Sequence, residues 1–364
     1  MTRVLFLSVL LVVAGCRTTR TTQWSSAELP KPKNIILMIG DGMGITQITA
    51  GLYSNKNHLH LERCPVVGLI KTYSSDDLVT DSAAGATAFS TGKKTFNGAV
   101  GVGPLKRPLQ TILELAEEKG LSTGMVATSE ITHATPASFI AHQPDRNQYE
   151  AIAEDFLQTE IDLFIGGGKK YFADRKDNRD LTYELRGLNY LLLDLNTPFD
   201  EIELEPYQNL AYFTANEAPG RNLKGRDYLP AASEFAAKTL ADRSEKGFFL
   251  MVEGSQIDWG GHANNADYII TEVLDFDRAI GKILDFAQKD GETLVVITAD
   301  HETGGFAINK GSEMEAGKLR TGFTTGGHTA DLIPVFAFGP GAEAFAGIYE
   351  NTEIYDKIKA AFGF

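Results

Sequence analysis

A three-layer α/β/α sandwich around a mostly parallel sheet is the fold class this sequence predicts. Two observations carry it. Six short apolar runs, Asn34–Ile39, Gly124–Thr128, Ile161–Ile165, Phe248–Val252, Thr293–Thr298 and Val335–Phe338, are continuous rather than alternating, as strands buried on both faces are. Between them lie helical patterns at Leu109–Lys119, Tyr149–Thr159, Ala231–Ala241 and about Asn265–Lys289. Strand–loop–helix alternation of this kind puts helices on both faces of one sheet.

In chain order, the N-terminus stands apart from the fold. Met1-Thr2-Arg3 is basic, and Val4–Val13 is an apolar run too short to span a bilayer as a finished helix. It ends in Val13-Ala14-Gly15-Cys16, which looks like a bacterial lipoprotein processing box. The expectation is a signal peptide over 1–15, lipid on Cys16, and a flexible Thr- and Ser-rich tether over 16–30. An ordinary secretory signal with an incidental cysteine is the alternative. The lipoprotein reading places the protein outside the cytoplasm, periplasmic or at the cell surface, and membrane-anchored. Residues 31–364 then form a single catalytic domain.

The run Asn34–Ile39 leads directly into Gly40-Asp41-Gly42-Met43-Gly44, the usual place for a functional loop beyond the carboxyl end of a strand. Those glycines have the wrong spacing for a dinucleotide fingerprint. Gly166-Gly167-Gly168-Lys169-Lys170 likewise lacks the full phosphate-loop spacing and its Ser/Thr, so both read as tight strand exits. The longest helix places Ile269, Val273, Leu274, Ile280, Ile283 and Leu284 near helical spacing. Residues 172–230 mix charge, Asn and Pro and read as a peripheral insertion.

The chain of 364 residues is 43% apolar, ample for one large core, and carries a net charge of -14. Such an acidic chain has no phosphate-tracking surface for nucleic acid. It would also repel phosphorylated substrates at long range, so an anion site must be locally positive, and bound metals make it so. Cys64, between Glu62 and Pro65 with only Arg63 intervening, has no evident activation and reads as a structural thiol.

Chemistry concentrates at strand exits. Asp41 follows the first run, and Asp300-His301-Glu302 follows Thr293–Thr298 in the same manner, an oxygen and nitrogen set suited to zinc. Taken singly, Asp41 could as well cap the next helix and His301 could be a hydrogen-bonded loop histidine. After Phe248–Val252 come Glu253, Asp258 and His262, the last two four residues apart and so on one side of a helical turn. His328 can supply a further nitrogen, Thr135 a minor oxygen ligand, and Arg146 a bidentate fork for phosphate. Asp81-Ser82-Ala83-Ala84-Gly85-Ala86-Thr87-Ala88 holds one hydroxyl beside one carboxylate. A serine is a poor nucleophile alone but ionises next to a divalent cation. Asp81 either holds Arg146 in place or caps a helix.

With these residues together, the chain resembles an alkaline phosphatase from Asn34 to about Pro340, and Ser82 falls on that family's nucleophile motif. The resemblance implies an alkaline-phosphatase-like sandwich that hydrolyses small phosphate monoesters with broad specificity through a phosphoserine at Ser82. It also implies two zinc ions and one magnesium ion per subunit, and a homodimer. One zinc would take Asp258, His262 and His328, and the other Asp41, Asp300 and His301, with the ions roughly 4 Å apart. Magnesium would take Asp41, Thr135 and Glu253, with Arg146 clamping phosphate. Where some members have Asp and Lys near that third site, this chain has His133 and Trp259, which tune it; zinc is the alternative ion there because imidazole suits it. The short segment between Asn309 and Gly327 leaves no room for a large crown-like insertion. Competing readings are a phosphodiesterase, sulfatase or mutase of the same superfamily, or a non-catalytic surface-binding lipoprotein.

Overall fold

Seven residues, Asn34–Gly40, form β1, and all seven are buried, which explains why the run from Ile35 to Ile39 is continuously apolar. The computed structural model describes residues 31–313 and 318–364; the signal, lipid-anchor and tether expectations fall outside them. β1 leads into α1 (Ile45–Ser54); β2 (Val66–Lys71) precedes α2 (Ser82–Thr91) and α3 (Ile112–Glu118). Next come β3 (Ser122–Glu130), α4 (Ala134–Ala137), α5 (Tyr149–Asp155), β4 (Leu163–Gly167), α6 (Lys170–Ala173) and α7 (Leu181–Gly187). After β5 (Tyr190–Asp194) and β6 (Asn209–Phe213), α8 (Leu229–Arg243) returns the chain to β7 (Phe248–Gly254), α9 (Gln256–His262) and α10 (Ala266–Asp290). β8 (Thr293–Thr298) opens the last fifth of the chain. It contains the short β9 (Glu302–Thr303), β10 (Phe306–Ile308), β11 (Thr321–Phe323) and β12 (His328–Thr329), then β13 (Ile333–Phe338), β14 (Gly347–Glu350) and α11 (Glu353–Phe362).

The main sheet has 10 strands in the order β14-β2-β13-β8-β1-β7-β3-β4-β6-β5. Its pairings are parallel except those of β13, which runs antiparallel to both β2 and β8. One face carries α1, α8 and α10; the other carries α2, α3, α4 and α11. The fold is therefore the expected α/β/α sandwich. Two outcomes differ in detail from the sequence reading. The stretch 172–230 lies at the sheet's edge, but it is woven into the domain: β5 and β6 extend the sheet, and Phe172 and Phe213 are buried against each other in its aromatic cluster. The helix expected over Tyr149–Thr159 ends at Asp155.

Strand register positions the chemistry. Ile39 pairs with Glu253 on one side and Thr298 on the other, so three central strands finish level with one another. Asp41 and Glu253 thereby meet at the carboxyl ends, and Asp300 lies just beyond. In α10, Asn265 caps the start by accepting from Tyr268 N–H at 3.0 Å, and Gly291 ends it in the left-handed conformation. This 25-residue helix backs β7 and β8 and keeps their exits fixed.

Candidate active site

Asp41 is the first residue past β1, and its N–H donates to Gly254 O at 3.2 Å, tying the exits of β1 and β7. Gly42 follows at φ +73, and a Cβ there would lie 2.7 Å from Asp258 Cα. Only glycine therefore lets the first loop pass so close to α9. Gly42 N–H donates to Asp300 Oδ1 at 3.2 Å, which brings the β8 exit to the same point. On α9, Asp258 and His262 are one turn apart, with Oδ2 and Nε2 separated by 3.3 Å. His328 Nε2 lies 3.5 Å from Asp258 Oδ1 and 3.2 Å from His262 Nε2. Its ring stacks on His301 with centroids 3.6 Å apart.

Three groups of side chains bring ligand atoms within 4.8 Å of one another: Asp258, His262 and His328; Asp41, Asp258 and His301; and Asp41, His133 and Glu253. The first is the expected set. Around the second, Asp300 Oδ2 stands 3.2 Å from His301 Nε2, so the expected Asp41, Asp300 and His301 converge, and Asp258 reaches them as well. In the third, His133 faces Asp41 and Glu253, and the buried Thr135 hydroxyl lies on the adjoining turn of α4.

This geometry fits cations. Asp41 Oδ2, Glu253 Oε1, Asp300 Oδ2, His133 Nδ1 and Thr135 Oγ1 are all buried with no hydrogen-bond partner among the described residues. A buried polar atom without a partner costs roughly 1–3 kcal/mol, so five in one place mark a position for ligands from outside the chain. The acid–base balance agrees. Burial and then Asp300 push Asp41 well above the usual carboxylate range, and burial raises Glu253 to about 7. Asp258 is held well below that range despite burial, because His262 and His328 hydrogen-bond to it. That same bond to Asp258 raises His262 to about 9. Without metal, protons occupy the places of positive charge.

Ser82 opens α2, with Asp81 as its N-cap accepting from Ala84 N–H at 2.9 Å. Ser82 Oγ lies 3.2 Å from His301 Nε2 and 3.5 Å from Asp41 Oδ1, against the second cluster. The helix N-terminus adds partial positive charge where an alkoxide would form. Arg146 Nη1 donates to Asp81 Oδ2 at 2.9 Å, so both roles read for Asp81 are filled by one carboxylate. Arg146 Nη2 lies 3.3 Å from His133 Nε2. Burial and the nearby guanidinium push His133 down to about 3, and it sits edge-on to Trp259 with centroids 6.1 Å apart.

Several supporting residues escaped the sequence reading. Thr303 Oγ1 touches both Asp258 and His301. Glu302, named only as part of a run, is a brace: it accepts from Gln47, Thr329, Gly305 N–H and Phe306 N–H and ties β9 to β12, which bears His328. Ser255 and Ser129 donate to Glu253 Oε2, leaving Oε1 for a ligand. Alternation along Glu302–Thr303 was the available signal, since residues 301 and 303 face the same way on an extended chain. Cys64 is buried, and burial pushes its thiol up to about 12, which suits a structural role.

Comparison with known proteins places this geometry. The alkaline phosphatase family model matches residues 32–319. Alkaline phosphatase 3 of Bacillus subtilis is 37% identical over 412 aligned positions, covering 90% of this chain and 88% of that protein. The structure of alkaline phosphatase from the Antarctic bacterium TAB5 superposes with a TM-score of 0.85 at 46% identity, covering 93% of this chain and 99% of that one. Variants of the TAB5 enzyme with one histidine changed to Asp or Glu have Mg bound in its M3 site. The chain belongs to the alkaline phosphatase family.

Proposed function

We propose that the chain, within the metal-dependent hydrolysis of phosphate esters that its family performs, is a phosphate-monoesterase of broad specificity working through a phosphoserine at Ser82. One observation carries this reading: a buried helix-opening hydroxyl lies 3.2 Å from an imidazole nitrogen of one metal-fitting cluster. Asp258, His262 and His328 would hold one zinc, and Asp41, Asp300 and His301 the other. The third site, with Asp41, Thr135 and Glu253, would take magnesium, or zinc if His133 joins as a ligand. When bound, such metals act as Lewis acids that ease ionisation of a hydroxyl or water and neutralise phosphoryl charge.

The chain's own groups do the rest. Ser82 Oγ attacks phosphorus as the ester P–O bond breaks, and the alcohol leaves after gaining a proton. Water then attacks the phosphoserine, regenerating Ser82 and releasing orthophosphate. Arg146, anchored by Asp81, keeps guanidinium donors free for two nonbridging oxygens. His133, neutral and edge-on to Trp259, adds no charge, so product phosphate is held by fewer charged contacts.

The same reading assigns 31–364 to one catalytic domain in a homodimer, exported and anchored through lipid on Cys16. The processing box Val13-Ala14-Gly15-Cys16 supports the anchor. Among the described residues no helix is long and apolar enough to cross a membrane. Specificity constants for phenyl phosphate, a phosphodiester and a sulfate ester at equal enzyme and metal test the function. The monoester should be largest, and a larger value for either analogue would overturn the assignment.

A further inference from the structure

Three histidines stand at the paired metal clusters, and each has one ring nitrogen engaged away from them. For His262, Nδ1 lies 2.7 Å from Gly326 O, and for His328, Nδ1 lies 2.8 Å from Thr80 O. A backbone carbonyl only accepts, so both rings carry a proton on Nδ1; the Nε2 that hydrogen-bonds to Asp258 without metal is therefore the nitrogen that would offer a lone pair to a bound cation. His301 differs. Its Nδ1 faces a side chain, the Thr303 hydroxyl, at 3.2 Å.

That hydroxyl has one proton, and its other neighbour decides where it goes. Thr303 Oγ1 lies 2.5 Å from Asp258 Oδ1, and an ionised carboxylate can only accept. The Thr303 proton therefore points to Asp258, and its oxygen is left to accept from Nδ1–H of His301. Nε2 of His301 is then the nitrogen that would offer its lone pair to a cation bound in the cluster, and it faces Ser82 Oγ at 3.2 Å, Asp300 Oδ2 at 3.2 Å and Asp41 Oδ1 at 3.6 Å.

Packing leaves Thr303 little freedom to do otherwise. A Cβ at Gly42 would lie 2.8 Å from its Oγ1, and one at Gly261 would lie 2.7 Å from its Cβ and its methyl carbon. Two glycines thus shape the slot that sets its rotamer. Its backbone is pinned by pairing with His328 across β9–β12 and by Gln47 donating to its carbonyl at 2.9 Å. We propose that Thr303 is a positioning residue that fixes the tautomer of His301 and, through Asp258, couples the two zinc-type clusters. This rests on the reading that those clusters hold zinc.

The test uses the zinc-loaded protein, its Thr303→Val variant, which keeps the shape without the hydroxyl, and Thr303→Ser, which restores it. Zinc affinity is measured by competition with a chelating dye, and the proton on His301 is located by nitrogen NMR of histidine-labelled protein. In the wild type, His301 should carry its proton on Nδ1. Thr303→Val should weaken zinc binding roughly 10- to 100-fold, as loss of a hydrogen-bonded support to a metal ligand does, and Thr303→Ser should recover most of it. A His301 proton on Nε2 in the wild type would overturn the proposal whether or not the valine variant folds. So would valine and serine variants that bind zinc as tightly as the wild type. A wild type that binds no zinc would take down the metal reading as well, which separates the two failures.

Discussion

Stripping the metals with a chelator should lower the melting temperature by about 12 °C, and by more at pH 9 than at pH 6. Asp41, Glu253, Asp258 and Asp300 are all buried around one point, and bound cations neutralise them in the native state only. A ligand at about 1,000 times its dissociation constant stabilises by about 4 kcal/mol, so two such sites give about 8 kcal/mol. Unfolding entropy of about 2.1 cal/mol/K per residue over the roughly 330 described residues is about 0.7 kcal/mol/K, which converts that figure to the shift stated.

The pH trend follows from the metal-free groups. Glu253, raised to about 7, binds its proton more tightly folded than unfolded. The stripped protein therefore loses stability as pH climbs from about 4.5 through 7, on the order of 3 kcal/mol. His262, raised to about 9, contributes stability below its unfolded value that disappears as pH rises through 9. Both act in the same direction. Differential scanning calorimetry of chelated and metal-replete samples at pH 6 and pH 9 reads the gap. Samples that melt within about 2 °C of each other at pH 9 would refute the claim that these carboxylates need cations.

Other perturbations test separate parts of the account. Glu117 is raised to about 8, chiefly by burial, so native stability should fall as pH rises from about 4.5 to 8. Glu117→Gln should remove that fall, leaving stability near pH 4 unchanged and gaining up to about 5 kcal/mol above pH 8 in urea titrations. Arg146→Lys keeps the charge but loses the fork, and inhibition by inorganic phosphate should weaken by roughly 10- to 100-fold, the equivalent of about 1.5–3 kcal/mol. Gly42→Ala forces a Cβ against the Asp258 backbone at positive φ. It should therefore lower bound zinc per chain in metal analysis while circular dichroism keeps the native helix signal.

How much of this was legible in the sequence depended on burial. The central strands β1, β7 and β8 are buried along their whole length, so each is a continuous apolar run that announces itself. β2 did not, because Val67 is 53% exposed and Gly68 interrupts the pattern where a Cβ would meet Phe345 O at 2.1 Å. β5 and β6 were hidden because five-residue strands at a sheet edge are embedded in polar turns. Asp41, Glu253 and Asp300 could be placed because strand exits in a parallel sheet lie on one side. Convergence of Asp258 onto both zinc-type clusters could not, since spacing along the chain does not tell which loops approach each other. Nor could the carbonyls of Thr80 and Gly326 behind His328 and His262, because backbone groups carry no sequence signal.

The central claim is that the Ser82 oxygen takes the phosphoryl group. Mixing the metal-replete enzyme with a phosphate monoester, quenching in acid within one turnover, and sequencing its peptides by mass spectrometry tests it directly. A phosphoryl group is expected on Ser82, absent without substrate and absent in Ser82→Ala. Product release in the first turnover with Ser82 unmodified, or a phosphoryl group carried on another residue, would contradict it.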